Sequence, residues 1–231
     1  ALWECFPPNI TDLKLSICEE RDNLAEKVLK KRSLRRFELL TEATQSFSLH
    51  RALSNSHSTL QVLTLPPLYP CSRRLIKLLS KLSNLQELNI SSAGVGDITT
   101  LLSVLTPSIK QLTVFPMAKL LECKADLQLW SQFTQLETLS LSRADFGETP
   151  FPPLASLHSL MLTTVNSFTQ FAAALRTMTH LHLLQLEFCF GESERQPEFL
   201  EAIGALSQLT RLEVLPLAMA QSDVTLLAKS L

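Results

Sequence analysis

Four side chains near the C-terminal end of the sequence belong to the types that bind zinc: His180, His182, Glu187 and Cys189. A zinc site needs three or four such groups that converge on one point. On a strand, His180 and His182 would point in the same direction because they are two positions apart. Cys189 would have to come from the following turn, so the sequence predicts no metal site.

The sequence gives equally little support for cysteine chemistry or for catalysis. The five cysteines are widely spaced and contain no C-x-x-C pair, which argues against a disulfide framework and favours a reducing compartment. Phosphate-binding loops, nucleophile elbows and H-E-x-x-H motifs are absent from the sequence. Gly94-x-Gly96 lacks the third glycine of a dinucleotide loop. We therefore expect no catalytic residue, no cofactor and no small-molecule substrate. The cysteines are Cys5, Cys18, Cys71, Cys123 and Cys189.

The charge balance bears on possible partners and location. Lys and Arg total 21 against 22 Asp and Glu, a net charge of −1, which gives no reason to expect nucleic acid. The basic run Lys27–Arg36 could be a nuclear-localisation or nucleic-acid patch, but we favour the solvated face of a helix, because no stacking aromatics accompany it. No apolar run approaches the roughly 20 residues that span a bilayer, and no signal peptide is visible. We expect an intracellular, cytoplasmic protein without membrane contact.

An L-x-x-L-x-L motif, with Ile, Val or Phe in place of some leucines, recurs along the whole chain. It occurs nine times, and successive copies begin 21 to 28 residues apart. The fourth and sixth positions alternate with polar ones, as a strand with one buried face requires, and apolar residues at helical spacing lie between the copies. The copies are Ile10-Leu13-Leu15, Leu34-Phe37-Leu39, Leu60-Leu63-Leu65, Leu85-Leu88-Ile90, Ile109-Leu112-Val114, Leu136-Leu139-Leu141, Leu157-Leu160-Leu162, Leu181-Leu184-Leu186 and Leu209-Leu212-Val214.

In segments such as LQVLTL, LQELNI and LETLSL the chain resembles the leucine-rich-repeat family over essentially its whole length. The resemblance implies an α/β fold: a right-handed solenoid, or horseshoe, of about nine repeats, with a parallel concave sheet and convex helices. We expect residues 1–231 to form a single leucine-rich-repeat domain. Neither end carries a polar cap, so we expect a fragment of a longer protein.

Two departures from the family pattern stand out. The ninth motif position usually holds Asn or Cys in the family, but no Asn occurs there in this chain. The two cysteines at that position, Cys18 and Cys189, resemble the cysteine-containing or ribonuclease-inhibitor-like intracellular classes. The repeat over residues 141–157 is short and contains GETPFPP, so we expect an extended or 3₁₀ connection there instead of an α-helix.

The solvent-facing strand positions form the candidate binding surface. They mix hydroxyl, amide, apolar and charged groups without a basic stripe, which suits a protein partner. We expect a non-catalytic protein-interaction module or scaffold. The alternatives are a structural subunit of a large assembly, or the substrate-receptor part of a ubiquitin ligase. The candidate partner-binding residues are Arg36, Glu38, Glu87, Asn89, Gln111, Thr113, Phe115, Thr138, Ser140, Met161, Gln185, Glu187, Arg211 and Glu213.

Overall fold

The structure is a computed structural model, and the chain in it divides into two compact units. The first comprises residues 1–96 and 103–118, and the second comprises residues 97–102 and 119–231. The residues that the structure describes are 7, 9–16, 22–40, 48–66, 72–90, 98–114, 127–142, 154–163, 168–187 and 197–215.

The first unit contains five parallel strands that pair in chain order: β1 (Asp12–Leu15), β2 (Arg36–Leu39), β3 (Val62–Leu65), β4 (Glu87–Ile90) and β5 (Gln111–Val114). Their register aligns the fourth motif positions in one row, in which each side chain is 8% exposed or less. Because equivalent leucines lie directly beside one another, each repeat buries the apolar side of its neighbour. The row is Leu13, Phe37, Leu63, Leu88 and Leu112.

The second unit follows the same plan with four parallel strands: β6 (Thr138–Ser142), β7 (Ser159–Thr163), β8 (Leu183–Glu187) and β9 (Arg211–Leu215). Leu139, Leu160 and Leu184 form the equivalent buried row, and each has 0% of its surface exposed. These strands carry the predicted motif copies at the predicted positions.

Helices connect most of the strands: α1 (Asp22–Leu29), α2 (Leu49–Ala52), α3 (Arg73–Leu79), α4 (Ile98–Val104), α5 (Phe168–Leu175) and α6 (Pro197–Gly204). In α3, Leu75 and Leu79 are buried, as their helical spacing predicts, whereas Ile76 is partly exposed. The predicted α/β fold class is confirmed: within each unit, parallel strands pair in chain order, and helices lie between them. No helix in the described ranges has the length and apolarity needed to cross a bilayer.

The connection between β5 and β6 contains a 3₁₀ helix, Leu127–Gln132, where the repeat pattern favoured an α-helix. A 3₁₀ helix places residues i and i+3 on the same side. Trp130 lies in this helix and Phe133 directly follows it, and the two buried rings pack edge to face, with centroids 6.1 Å apart. Two bulky rings therefore fill this part of the core beside the 3₁₀ helix. The extended or 3₁₀ connection predicted within residues 141–157 falls mainly on residues 143–153, outside the described residues.

Polar side chains in the turns before β3, β4, β5 and β7 link neighbouring repeats. The residue that precedes the first motif leucine donates a hydrogen bond to a backbone carbonyl of the preceding repeat: Thr59 Oγ1 to Leu34 O at 2.8 Å, and Ser108 Oγ to Leu85 O at 3.1 Å. Asn84 and Ser156 make comparable bonds. We call Thr59, Asn84, Ser108 and Ser156 the turn ladder. The ninth motif positions, Cys18 and Cys189 included, lie outside the described residues.

Ser56 strengthens one of these turns. Its side chain has 0% exposure, and its Oγ accepts a hydrogen bond from Leu34 N at 2.9 Å and donates one to Arg32 O at 3.1 Å. Buried backbone groups need such partners because water cannot reach them. Ser54 offers the opposite case: its Oγ is also buried, and no hydrogen-bond partner for it is found in the described part of the chain.

Replacing Ser56 with alanine should destabilise the fold by about 2–4 kcal/mol, because it removes the hydrogen bond to the buried Leu34 N–H and the hydrogen bond to Arg32 O. The matched variant Ser54→Ala removes an unpartnered hydroxyl and should be nearly neutral or slightly stabilising. Chemical denaturation followed by circular dichroism measures both free energies of unfolding. Equal losses in the two variants would contradict the assigned role of Ser56.

Candidate functional site

The candidate site is the strand face, which we define as the outward side chains at the first, third and fifth positions of each strand. Alternation along each strand turns these side chains away from the buried leucines. Twelve of the predicted binding residues are exposed or partly exposed on this face. They are Arg36, Glu38, Glu87, Asn89, Gln111, Thr113, Thr138, Met161, Gln185, Glu187, Arg211 and Glu213. Phe115 lies outside the described residues.

Ser140 departs from the expectation that these positions face solvent. It is only 6% exposed, and its Oγ is buried without a hydrogen-bond partner among the described residues. Ser140 pairs in register with Met161, whose side chain is much longer. A short side chain beside a long one on the adjacent strand loses contact with water. The expectation that Ser140 faces solvent is therefore wrong.

Val62 is likewise buried, at 9% exposure, although it occupies an outward position of β3. It lies in the row between Arg36 of β2 and Glu87 of β4. Arg36 Nη2 and Glu87 Oε2 approach to 3.8 Å, so this ion pair spans the intervening strand. Two long side chains that meet above Val62 exclude water from it. The ion-paired side chains of Arg36 and Glu87 thus cover part of the strand face of the first unit.

Arg36 also joins a wider ion-pair network on the first unit. Lys14 Nζ lies 3.0 Å from Glu38 Oε2, and Arg36 Nη1 lies 3.4 Å from Glu38 Oε1. Arg36 Nε lies 3.8 Å from Asp12 Oδ1. Lys14 and Glu38, like Asp12 and Arg36, are 24 residues apart along the chain, and only the parallel register brings each pair together. The strand face of the first unit thus satisfies most of its charges internally.

The Lys14 ammonium lowers the pKa of Glu38, mainly through their hydrogen bond, and Arg36 adds to this effect while partial burial opposes it. A lowered folded-state pKa means that the charged carboxylate is favoured in the native protein. Its stabilising contribution is present above the ordinary carboxyl value of 4.5 and is lost as the pH falls through the lowered value. The network therefore weakens in acid.

The strand face of the second unit has a different character. Most of its described side chains are uncharged hydroxyls and amides, and Arg211 and Glu213 contact each other closely. Met161 on β7 and Leu183 on β8 are both partly exposed and occupy diagonal positions. Partly exposed apolar side chains surrounded by neutral polar ones are typical of the centre of a protein interface. We call Met161 and Leu183 the apolar pair.

Leu40 is a further apolar position on the first unit, which the motif pattern did not indicate. It follows β2 directly, its N–H bonds to Leu15 O at 2.8 Å, and it is 48% exposed. Leu40 follows Arg36 and Glu38 at the same two-residue spacing, so its side chain lies on the outward side of that strand. The sequence signal for it is the continued alternation beyond the sixth motif position.

Three histidines lie close together: His158 in the turn before β7, and His180 and His182 in the turn before β8. The His158 ring centroid lies 5.7 Å from that of His182 and 6.4 Å from that of His180, and all three side chains are exposed. This cluster differs from the four zinc-type residues considered in the sequence. It includes His158 from the neighbouring repeat, and Cys189 lies outside the described residues. Within the described ranges, no group of three or more His, Cys, Asp or Glu side chains is placed to hold a metal ion.

A second histidine pair, His50 and His57, is partly buried near α2, with ring centroids 6.0 Å apart. Both Nε2 atoms are buried and have no hydrogen-bond partner among the described residues. Burial lowers the pKa of His57, and the positive charges of Lys81 and His50 lower it further. Such an imidazole favours its neutral form, which suits a packing position inside the repeat.

Comparisons with known proteins give a fold-level likeness. No protein-family model matches the chain, and no curated protein matches it either. Among solved structures, the chain is similar to the leucine-rich repeat-containing protein LegL7 from Legionella pneumophila, with 15% identity, 99% of this chain and 92% of that chain covered, and a TM-score of 0.47. An internalin from Listeria monocytogenes aligns at 14% identity, covering 94% of this chain and 76% of that one, with a TM-score of 0.32.

The hydrogen bond from Lys14 is the largest cause of the lowered pKa of Glu38 in the ion-pair network of the first unit. Replacing Lys14 with alanine should raise the pKa of Glu38 towards 4.5, because the largest cause of its lowering is removed. Titration of the Glu38 carboxyl by NMR measures the change. The control Arg211→Ala, which removes a charge from the other unit, should leave the Glu38 titration unchanged. A Glu38 pKa that does not move in Lys14→Ala would contradict the network.

Proposed function

We propose that the chain is a leucine-rich-repeat module that binds a protein partner on its strand face and performs no catalysis. The recurrence of the motif at all nine strands supports membership of the leucine-rich-repeat family. The observation that carries the binding proposal is the apolar pair, Met161 and Leu183, which remains partly exposed on the strand face of the second unit. Apolar side chains in such positions stabilise complexes when a partner removes them from water.

The surroundings of the apolar pair support a protein partner over other ligands. Ser159 and Gln185 lie beside it in register and supply a hydroxyl and an amide that can hydrogen-bond to a peptide backbone. The neighbouring charges of Arg211 and Glu213 already contact each other. A phosphate backbone would instead require a row of unpaired cations. The proposal therefore includes no nucleic acid, no membrane and no small-molecule substrate.

A structural subunit and a binding module differ in which surface of the chain contacts other proteins. A structural subunit of an assembly would use its helices, whereas a binding module uses the strand face. A substrate receptor of a ubiquitin ligase would be a special case of the binding module, with the same face engaged. An intracellular, cytoplasmic location is part of the proposal and is supported by the odd, widely spaced cysteines.

Substituting either member of the apolar pair, as Met161→Arg or Leu183→Arg, should weaken partner binding by more than about tenfold, because a charged side chain replaces an apolar contact at the interface. The partner is first identified by crosslinking and mass spectrometry with the full-length protein. Its affinity for each purified variant is then measured by biolayer interferometry.

Ala173→Arg is the matched control, since it introduces the same side chain at an exposed position of α5 in the same unit. This variant should bind the partner like the wild type. Loss of binding in Ala173→Arg with full binding by Met161→Arg and Leu183→Arg would favour the structural-subunit role and overturn the proposal. Unchanged melting temperatures show that each variant is folded.

A further inference from the structure

The histidines at the turn before β7 and β8 form a cluster that the proposed binding face does not use. His158 and His182 are equivalent residues of adjacent repeats, since His182 N donates a backbone hydrogen bond to His158 O at 2.9 Å. They come from two motif copies, LASLHSL and MTHLHLL, in which histidine follows the first motif leucine. The parallel register therefore places two imidazoles side by side at the edge of the strand face.

The hydrogen bonding of His182 defines which of its nitrogens is available. His182 Nδ1 lies 2.6 Å from the backbone oxygen of His180. A carbonyl oxygen can only accept, so Nδ1 must carry the proton, and in the neutral ring the lone pair is on Nε2. Metal-binding histidines in proteins show the same arrangement, in which a backbone carbonyl fixes the tautomer and orients the ring.

The spacing of the two rings also suits a shared ion. Imidazoles that bind one metal ion through nitrogen, at about 2 Å each, place their centroids about 5–6 Å apart. The centroids of His158 and His182 are 5.7 Å apart, and the planes are inclined by 38°. Both side chains are exposed, so an ion and its remaining water ligands can reach them. Among the described residues, the His158 side chain makes ring contacts but no hydrogen bond that an ion would have to break.

We propose that His158 and His182 form a two-imidazole site for a divalent transition-metal ion, with water in the other coordination positions. Nitrogen ligands favour Cu²⁺ over Zn²⁺, and both over Mg²⁺. The site is distinct from a closed structural zinc site, which needs four protein ligands. His180 is not a ligand in this arrangement: its backbone oxygen positions the ring of His182.

Isothermal titration of the full chain with CuCl₂, ZnCl₂ and MgCl₂ tests the proposal. The wild type should bind one Cu²⁺ ion tightly and one Zn²⁺ ion more weakly, with no heat from Mg²⁺. His158→Ala and His182→Ala should each abolish the saturable binding, because one imidazole alone holds the ion poorly. His180→Ala is the matched control: it removes a neighbouring exposed imidazole but keeps the carbonyl oxygen, so it should bind Cu²⁺ like the wild type.

NMR of the histidine ring nitrogens locates the ion independently. Zn²⁺ should shift the Nε2 resonance of His182 and a ring-nitrogen resonance of His158, and should leave the ring nitrogens of His50 and His57 unshifted. Absence of saturable binding in the wild type, or its persistence in the His158→Ala, His182→Ala double variant, would overturn the proposal. Loss of binding in His180→Ala would overturn the two-ligand assignment. All three histidines are exposed, so the melting temperature of each variant should match that of the wild type.

Discussion

Burial of one repeat's leucines against those of the next is the interaction on which the rest of the structure depends. A four- or five-residue strand with its short helix cannot enclose its own apolar side, so it is stable only beside an equivalent neighbour. The register in each unit meets this requirement, because fourth-position residues such as Leu63 and Leu88, or Leu139 and Leu160, pair directly. A shift by one residue would turn every leucine towards water, so the register is strongly determined.

The same register creates the outward surface. Because side chains alternate, the strand face is a set of parallel rows in which residues some 24 positions apart in sequence become neighbours. These rows bring Arg36 close enough to Glu87 to cover Val62, and they set Met161 beside Ser140. The strand face therefore differs between the two units: in the first unit its charged side chains form ion pairs with one another, whereas in the second unit the apolar pair Met161 and Leu183 stays partly exposed.

The strands and their inward residues could be predicted from the sequence, because motif spacing and alternation reflect local geometry. Most of the candidate site followed from the same alternation. What could not be predicted depends on contacts between repeats: the burial of Ser140 and Val62, the turn ladder that begins at Thr59, and the approach of His158 to His182. The 3₁₀ helix at Trp130 also escaped prediction, since it reflects how two rings fill the core. Side-chain length on a neighbouring strand is not encoded in the local pattern.

The proposed function places the protein partner on the strand face and not on the helical side. Oxidative footprinting of Met161 tests it most directly, because the thioether is readily oxidised and its side chain is partly exposed. The rate of Met161 sulfoxide formation, measured by mass spectrometry with and without saturating partner, should fall in the complex. An unchanged Met161 oxidation rate in a fully formed complex would contradict partner binding on the strand face.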